Sequence, residues 1–468
     1  MSRTVTIAPV SRIEGHARIV IRMTDDEQVL TARLLVEEFR GFESFCIGRP
    51  YWEMPAITSR ICGICPVSHS LAASRAGELI MGVEPSPAVV LQRRILSLAQ
   101  LLLSHSLNFF FLSAPDIVLG LDSDPSERNI TGLARHCPDI IRKGVRLRQI
   151  AQEIVNRIGG GTLQPRRVTA GGMREPLLAE DRDAAAALLP ELLGLVRDSA
   201  WIWEEHRQRF LEAMGPADEE MGLSLGLVDS CGVLDHLDGS LRFSTPAGTV
   251  AGEFEPQQYG DAISEAGVDG SYMKETVCRL GGDGIYRVGP LARLHVAPLP
   301  SAPQAEQVRL CFLEEPLAAT PLGSHQARLI EMLYAAERLP ALLAAPDLCS
   351  DSVAPSGEVR NREGVGVTEA PRGTVIHHYE VDRHGLLTRV NLLIATGHNT
   401  RAINRTITAI ARTHLTGGRL SEGLLNRVEH GVRLYDPCLS CATHTHGRSG
   451  LMVELFSPDG KVLDRVCH

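Results

Sequence analysis

Apolar and polar positions alternate along residues 3–40, in the runs TVTIAP, HARIVIRM and VLTARLLVEEF, with TDDEQ as a polar turn between the last two. A period of two sends successive side chains to opposite faces, so these runs predict a small antiparallel sheet. From Pro66 to about Gly82 the spacing of Val67, Leu71, Ala72, Leu79 and Ile80 becomes helical. Long helical patterns follow at 87–113, 140–158 and 179–213, and GGGTLQPRRVTAGGM at 159–173 is a glycine-rich turn. Residues 214–303, rich in Gly, Pro and short β-like runs, predict an irregular loop and β excursion that carries loops or a partner surface. Helices return at 304–346, strands at 374–395 and helices at 399–430. Near the end, LMVELFSPDGKVLDRV is two alternating runs joined by PDG, a hairpin signature. The sum is a mixed α/β fold, with a central bundle of long helices and small peripheral antiparallel sheets. It divides into segments 1–60, 61–213, 214–303, 304–444 and 445–468.

Composition adds exclusions. A chain of 468 residues with 44% hydrophobic and 22% charged residues can bury a large core. A net charge of −9 argues against nucleic acid as partner, because phosphate binding needs a basic surface. Ile95–Leu119 is apolar enough to raise the question of a membrane span. Gln100, His105, Asn108 and Asp116 interrupt it, so a buried core helix is the expectation and no membrane span is. No basic stretch followed by a short apolar run opens the chain, so no signal peptide is expected. Of eleven cysteines, Cys46, Cys137, Cys231, Cys278, Cys311, Cys349 and Cys467 share no spacing pattern and read as small buried hydrophobes. A core this large needs no disulfide framework, which implies a reducing, cytoplasmic setting.

The remaining four cysteines form two Cys-x-x-Cys pairs near opposite ends: Cys62/Cys65 in RICGICPVSH and Cys438/Cys441 in DPCLSCATH. They can act together only if the whole intervening chain folds to bring them face to face. Four thiolates in one buried site carry a charge near −4, and burying it without cations costs roughly tens of kcal/mol on Born estimates. Soft sulfur ligands favour zinc, iron or nickel over magnesium or calcium. From spacing alone a structural four-cysteine zinc site ranks first, a redox-active metal site second and dithiol exchange third.

The flanking residues change that order. RIEGH at 12–16, RGFE at 40–43, RICGICPVSH at 60–69, EAPRG at 369–373 and DPCLSCATH at 436–444 stand in this sequence along the chain. Together they resemble the large, catalytic subunit of nickel–iron hydrogenases over nearly the whole length. The opening SRTVTIAPVSRIEGHARI and the form DPCLSCATH are most similar to the soluble NAD-reducing, bidirectional branch. The resemblance implies the hydrogenase large-subunit fold and heterolytic, reversible cleavage of dihydrogen. It makes Cys62 and Cys438 terminal nickel ligands, and Cys65 and Cys441 bridges to an iron that carries carbonyl and cyanide. Glu14 matches the proton-transfer carboxylate beside a terminal cysteine, and Cys438 is the thiolate that first accepts the proton. Arg372 matches a guanidinium over the metals, with Asp436 near it and Pro371 fixing the backbone. His69 matches a donor to a bridging thiolate. Glu43, the backbone carbonyl near Leu392 and His444 match the ligands of a magnesium ion. One departure stands out: many relatives carry Asp where this chain has Ser104.

No further cysteine motif for iron–sulfur clusters and no GxGxxG fingerprint occurs, so electrons must leave through partners. The resemblance supplies a small subunit with an iron–sulfur cluster and, in the NAD-linked branch, a flavin and iron–sulfur diaphorase. It also implies a maturation endopeptidase that removes residues 445–468 after His444. The alternatives are a deazaflavin- or heterodisulfide-linked hydrogenase of the same family and, more remotely, a zinc-stabilised structural protein. The quinone-site subunit of respiratory NADH dehydrogenase resembles this fold but lacks the metal-binding cysteines, all four of which are present here.

Overall fold

The structure, a computed structural model, describes residues 3–216, 221–350, 352–354, 358–415, 420–443, 452–456 and 462–467. The alternating N-terminal runs form the three-stranded antiparallel sheet they predict, Arg3–Ile7, Ala17–Met23 and Val29–Val36 in that order. Ile19, Ile21, Leu34 and Val36 are buried, as the period of two requires. The last strand docks on the helix Ala395–His414, where Asn404 Oδ1 accepts from Leu34 N at 2.8 Å and Thr408 Oγ1 from Ala32 N at 2.9 Å. The two ends of the chain are thus held together.

Long helices Pro87–Ser106, Pro138–Gly159, Leu189–Met214 and Ser324–Leu343 pack on one another as the central bundle. The first continues through π-helical turns at Leu107–Ser113 and Pro115–Leu119. Pro115 has no N–H to donate and crowds the preceding turn, and widened turns accommodate it. By composition this helix could cross a membrane, yet 78% of its most apolar stretch is buried inside the protein. Its polar residues are paired in the core: Gln100 accepts from Val67 N at 2.6 Å and His105 meets Glu331 at 2.7 Å.

The structure sharpens four expectations. The 179–213 pattern is two helices, Ala179–Ala187 and Leu189–Met214, because Pro190 starts a new first turn. The short β-like runs of 214–303 pair into sheets among the described residues. Leu223–Val228, Ser240–Ser244, Val250–Phe254 and Tyr286–Arg287 make a four-stranded sheet, and Ile263–Val268 pairs with Ser271–Cys278. The helices expected at 399–430 are Ala395–His414 and Glu422–Arg433. Finally, the strand region begins earlier than 374, with Glu363–Ala370 pairing antiparallel to Gly373–Val381, which pairs with Leu387–Leu393. The C-terminal hairpin forms as expected, from Met452–Phe456 and Val462–Cys467.

The strand Glu363–Ala370 escapes a reading by alternation because it is buried on both faces. It lies under the helix Pro66–Met81, and glycines set how close the two come. A Cβ on Gly366 would stand 2.0 Å from Ala72 O and 2.5 Å from Ala76 N. These are backbone atoms that no rotamer change can move. Gly366→Ala is expected to lower the unfolding free energy by about 2–3 kcal/mol, read by denaturant titration against the wild type.

Candidate metal centre

That close packing brings the first cysteine pair to the second. Cys65 caps the N-terminus of Pro66–Met81, with Pro66 in its first turn, and Cys438 caps the short helix Leu439–Ala442. Thr396 Oγ1 accepts from Cys438 N at 3.0 Å and lies 3.3 Å from its carbonyl oxygen. On the other side Glu14 forms a parallel β-bridge with Cys438, and Leu439 N donates to Glu14 O at 3.3 Å. The glycine of RIEGH is required for this approach. Gly15 has φ +88°, and a Cβ there would lie 2.6 Å from the Leu439 Cβ.

The four sulfurs lie within 4.8 Å of one another, all buried. Cys62 and Cys438 are 3.0 Å apart, Cys65 and Cys441 3.2 Å, and Cys438 and Cys441 3.0 Å, across 376 positions of sequence for each of the first two contacts. Burial pushes the Cys438 and Cys441 thiols well above the ordinary range. Cys65 is held below it, by hydrogen bonds from Cys438, Cys441 and Cys62 and then from His69. Four thiolates require cations between them, and the spread of the sulfurs fits one or two metals ligated at ~2.3 Å.

Arg372 and Asp436 sit beside the sulfurs. Arg372 Nε donates to Asp436 O at 2.6 Å, and Arg372 Nη2 lies 2.9 Å from Asp436 Oδ2. Burial disfavours the Arg372 cation, but Asp436 and the sulfurs of Cys438, Cys65 and Cys62 outweigh it and raise its pKa. Ser104 Oγ accepts from Arg372 Nη1 at 2.9 Å, so a neutral hydroxyl stands at the position expected to depart from the relatives. Pro371 is buried, and its carbonyl accepts from Arg293 Nη2 at 3.1 Å.

Glu14 is half-buried, and its carboxylate accepts from Ser440 N at 3.0 Å and from the Ser440 hydroxyl. His69 Nε2 lies 3.3 Å from Cys441 Sγ. Glu43 accepts from Leu392 N at 2.9 Å. Burial raises the Glu43 pKa to about 7 against the attraction of Lys274. His444 lies outside the described residues. Its neighbour Thr443 is placed, and the Thr443 carbonyl accepts from Arg40 N at 3.0 Å and Gly41 N at 3.3 Å, close to Glu43 in sequence.

Several site residues had no signal of their own in the sequence. Ser440, Thr396 and Arg293 are of this kind. Arg293 is fully buried and binds Glu331 at 2.6 Å, Glu369 at 2.8 Å and the carbonyl of Ala370 at 2.9 Å, so it anchors the segment that carries Arg372. Glu369 and Arg12 were visible as letters of EAPRG and RIEGH but had no assigned role. Arg12 pairs with the buried Asp116 at 2.6 Å, which holds the RIEGH turn against the bundle.

A family model for nickel-dependent hydrogenases matches residues 40–168, and a HoxL-like model matches residues 4–39. The chain is 36% identical to the NAD-reducing hydrogenase HoxS subunit beta of Cupriavidus necator, over 99% of each chain. It is 37% identical to a chain of the F420-non-reducing hydrogenase of Methanothermobacter marburgensis, again over 99% of each. The crystal structure of an NAD+-reducing NiFe hydrogenase in the H2-reduced state superposes with a TM-score of 0.89 at 41% identity, covering 94% of this chain and 99% of that one. The Ni-Fe-Se hydrogenase of D. vulgaris Hildenborough shares the fold, with a TM-score of 0.75 at 23% identity over 95% of this chain and 100% of its own. This chain belongs to the nickel-dependent hydrogenase family, as its large subunit. It is therefore an oxidoreductase of a nickel–iron hydrogenase family that carries a buried four-cysteine cluster, and the zinc-protein alternative falls.

Glu43 yields a pH prediction for the metal-free protein. Its folded carboxyl keeps the proton to about pH 7, whereas the unfolded one releases it near 4.5. The folded state therefore binds more protons in this window, and stability falls as the pH rises through it, by at most about 1.4 kcal/mol per pH unit. Glu43→Gln should remove that part of the slope in chelator-treated protein followed by denaturant titration.

Proposed function

We propose that this chain performs the hydrogen half-reaction of an NAD-linked nickel–iron hydrogenase, splitting dihydrogen reversibly into protons and electrons. The observation that carries the reading is the set of four buried sulfurs from both chain ends, flanked by the Arg372–Asp436 pair. Cys62 and Cys438 would hold nickel terminally, and Cys65 and Cys441 would bridge to an iron carrying carbonyl and cyanide. When bound, the two metals supply Lewis acidity and take up the electrons of the cleaved bond. Arg372, always charged, offsets the negative charge of the sulfurs and presents a fixed guanidinium to the gas-binding side. Asp436 and Ser104 orient it.

The proton leaves by side chains of this large subunit. Cys438 Sγ accepts it and hands it to the Glu14 carboxylate, which the β-bridge holds alongside. From Glu14 the Ser440 hydroxyl, 3.5 Å from Glu38, continues the line, and Glu38 lies 3.7 Å from the exposed His16. Magnesium would be held by Glu43, the Leu392 carbonyl and His444, oxygen-rich ligation that suits a hard cation.

Electrons would pass first to a small subunit with an iron–sulfur cluster, then to a flavin-containing diaphorase. The 41% identity to an NAD+-reducing enzyme supports NAD as acceptor. A deazaflavin- or heterodisulfide-linked partner is the second reading, favoured by the equal likeness to methanogen hydrogenases. We place the complex in the cytoplasm, the reducing setting that the sequence implies.

Purified holoprotein should contain nickel and iron in near-equal amounts. Glu14→Gln should keep both metals and lose about 10²–10⁴-fold in hydrogen turnover. Unchanged turnover would remove Glu14 from the proton line. The wild-type complex should reduce NAD+ with hydrogen, and its large subunit should show an intact mass ending at His444, the mark of a maturation endopeptidase. Activity confined to other acceptors would select the second reading.

A further inference from the structure

His69 does not meet the sulfur alone. Its other ring nitrogen, Nδ1, lies 3.2 Å from Nε2 of His377, and His377 Nδ1 lies 2.7 Å from the hydroxyl of Tyr379. All three side chains are fully buried. The arrangement follows from two elements already described. His69 stands one helical turn after Cys65 on Pro66–Met81. His377 and Tyr379, two apart on the strand Gly373–Val381, share the face that this helix covers. The His69 and His377 rings are 5.4 Å apart at their centroids, and the His377 and Tyr379 rings 5.8 Å.

Donors and acceptors fix the direction of these hydrogen bonds. A metal-bound thiolate only accepts, so His69 Nε2 must carry the proton it offers to Cys441. In a neutral imidazole that leaves Nδ1 as an acceptor, and His377 Nε2 must then be the donor to it. His377 Nδ1 in turn accepts, which requires the Tyr379 hydroxyl to donate. Burial raises the Tyr379 pKa well above the ordinary value, so that hydroxyl keeps its proton. The alternative tautomer of His69 would aim a lone pair at an anionic sulfur.

We propose that Tyr379 and His377 are positioning residues that lock His69 in the tautomer donating to the Cys441 sulfur, and so set the electron density of the bridge. This rests on the reading of Cys441 as a metal-bridging thiolate. A donor to a ligating sulfur draws density from it and weakens its donation to the metals, the usual effect of outer hydrogen bonds on a metal site. Tyr379→Phe removes the terminal donor while keeping the ring, and it frees His377 to adopt either tautomer.

The test is infrared spectroscopy of the purified, metal-loaded complex, with nickel and iron content measured on the same samples. Tyr379→Phe should retain both metals and move the iron carbonyl and cyanide bands to lower wavenumber, because a more electron-rich iron back-donates more. His377→Leu should move them the same way. His377→Gln can donate to His69 and accept from Tyr379 through its amide, and should return the bands to the wild-type position. Metal-loaded Tyr379→Phe or His377→Leu with wild-type bands would overturn the relay while leaving the nickel–iron reading intact. Wild-type protein without such bands would overturn that reading and the relay with it.

Discussion

Four sulfurs that must lose their protons inside a protein interior impose the constraint from which most of this architecture follows. Such a group is tolerable only when metal cations sit among the sulfurs and when no water competes for the ligands. Both conditions require the cysteines to be enclosed on every side. The protein achieves this by building the pocket wall from the middle of the chain and its contents from the ends. The helix that begins at Cys65 lies on the strand that leads to Arg372, and the turn of Cys438 is clasped between Glu14 and Thr396.

The same economy of charge governs the surroundings. Arg293 is matched by Glu331 and Glu369, Arg372 by Asp436, and Arg433 and Arg12 by Asp116. Removing one partner of such a pair leaves an uncompensated buried charge, which is far more damaging than the pair is stabilising. These networks join segments distant in sequence, and each includes a letter of a motif or braces one. Their role is to set register: they hold RIEGH and EAPRG at fixed heights against the bundle, beside the turn that carries Cys438.

Much of this was legible in the sequence, for a physical reason. Side chains that meet a metal are few in chemical type and occur in short blocks, so Cys62, Cys65, Cys438 and Cys441 announced themselves, as did the long helices with a period near 3.6. The N-terminal sheet was readable because one face is wet. Glu363–Ala370 was not, since burial on both faces erases alternation and Gly364 and Gly366 interrupt what is left. Ser440, Thr396 and Arg293 were invisible for a different reason. A serine or arginine is ordinary on any surface, and only the three-dimensional neighbour makes it specific. The β-like runs of 223–287 were visible, but their pairing into sheets was not, because glycine-rich turns part them.

The β-bridge between Glu14 and Cys438 also bears on how the protein comes into being. A ribosome delivers Cys438 more than four hundred peptide bonds after Glu14. Everything else that lines the pocket can settle before its last wall exists. Contacts this non-local form slowly, so the nascent chain passes through a stage in which Cys62 and Cys65 face an open cleft. Docking of the Cys438 turn is the latch that shuts it, and any cargo destined for the cleft has that interval in which to arrive.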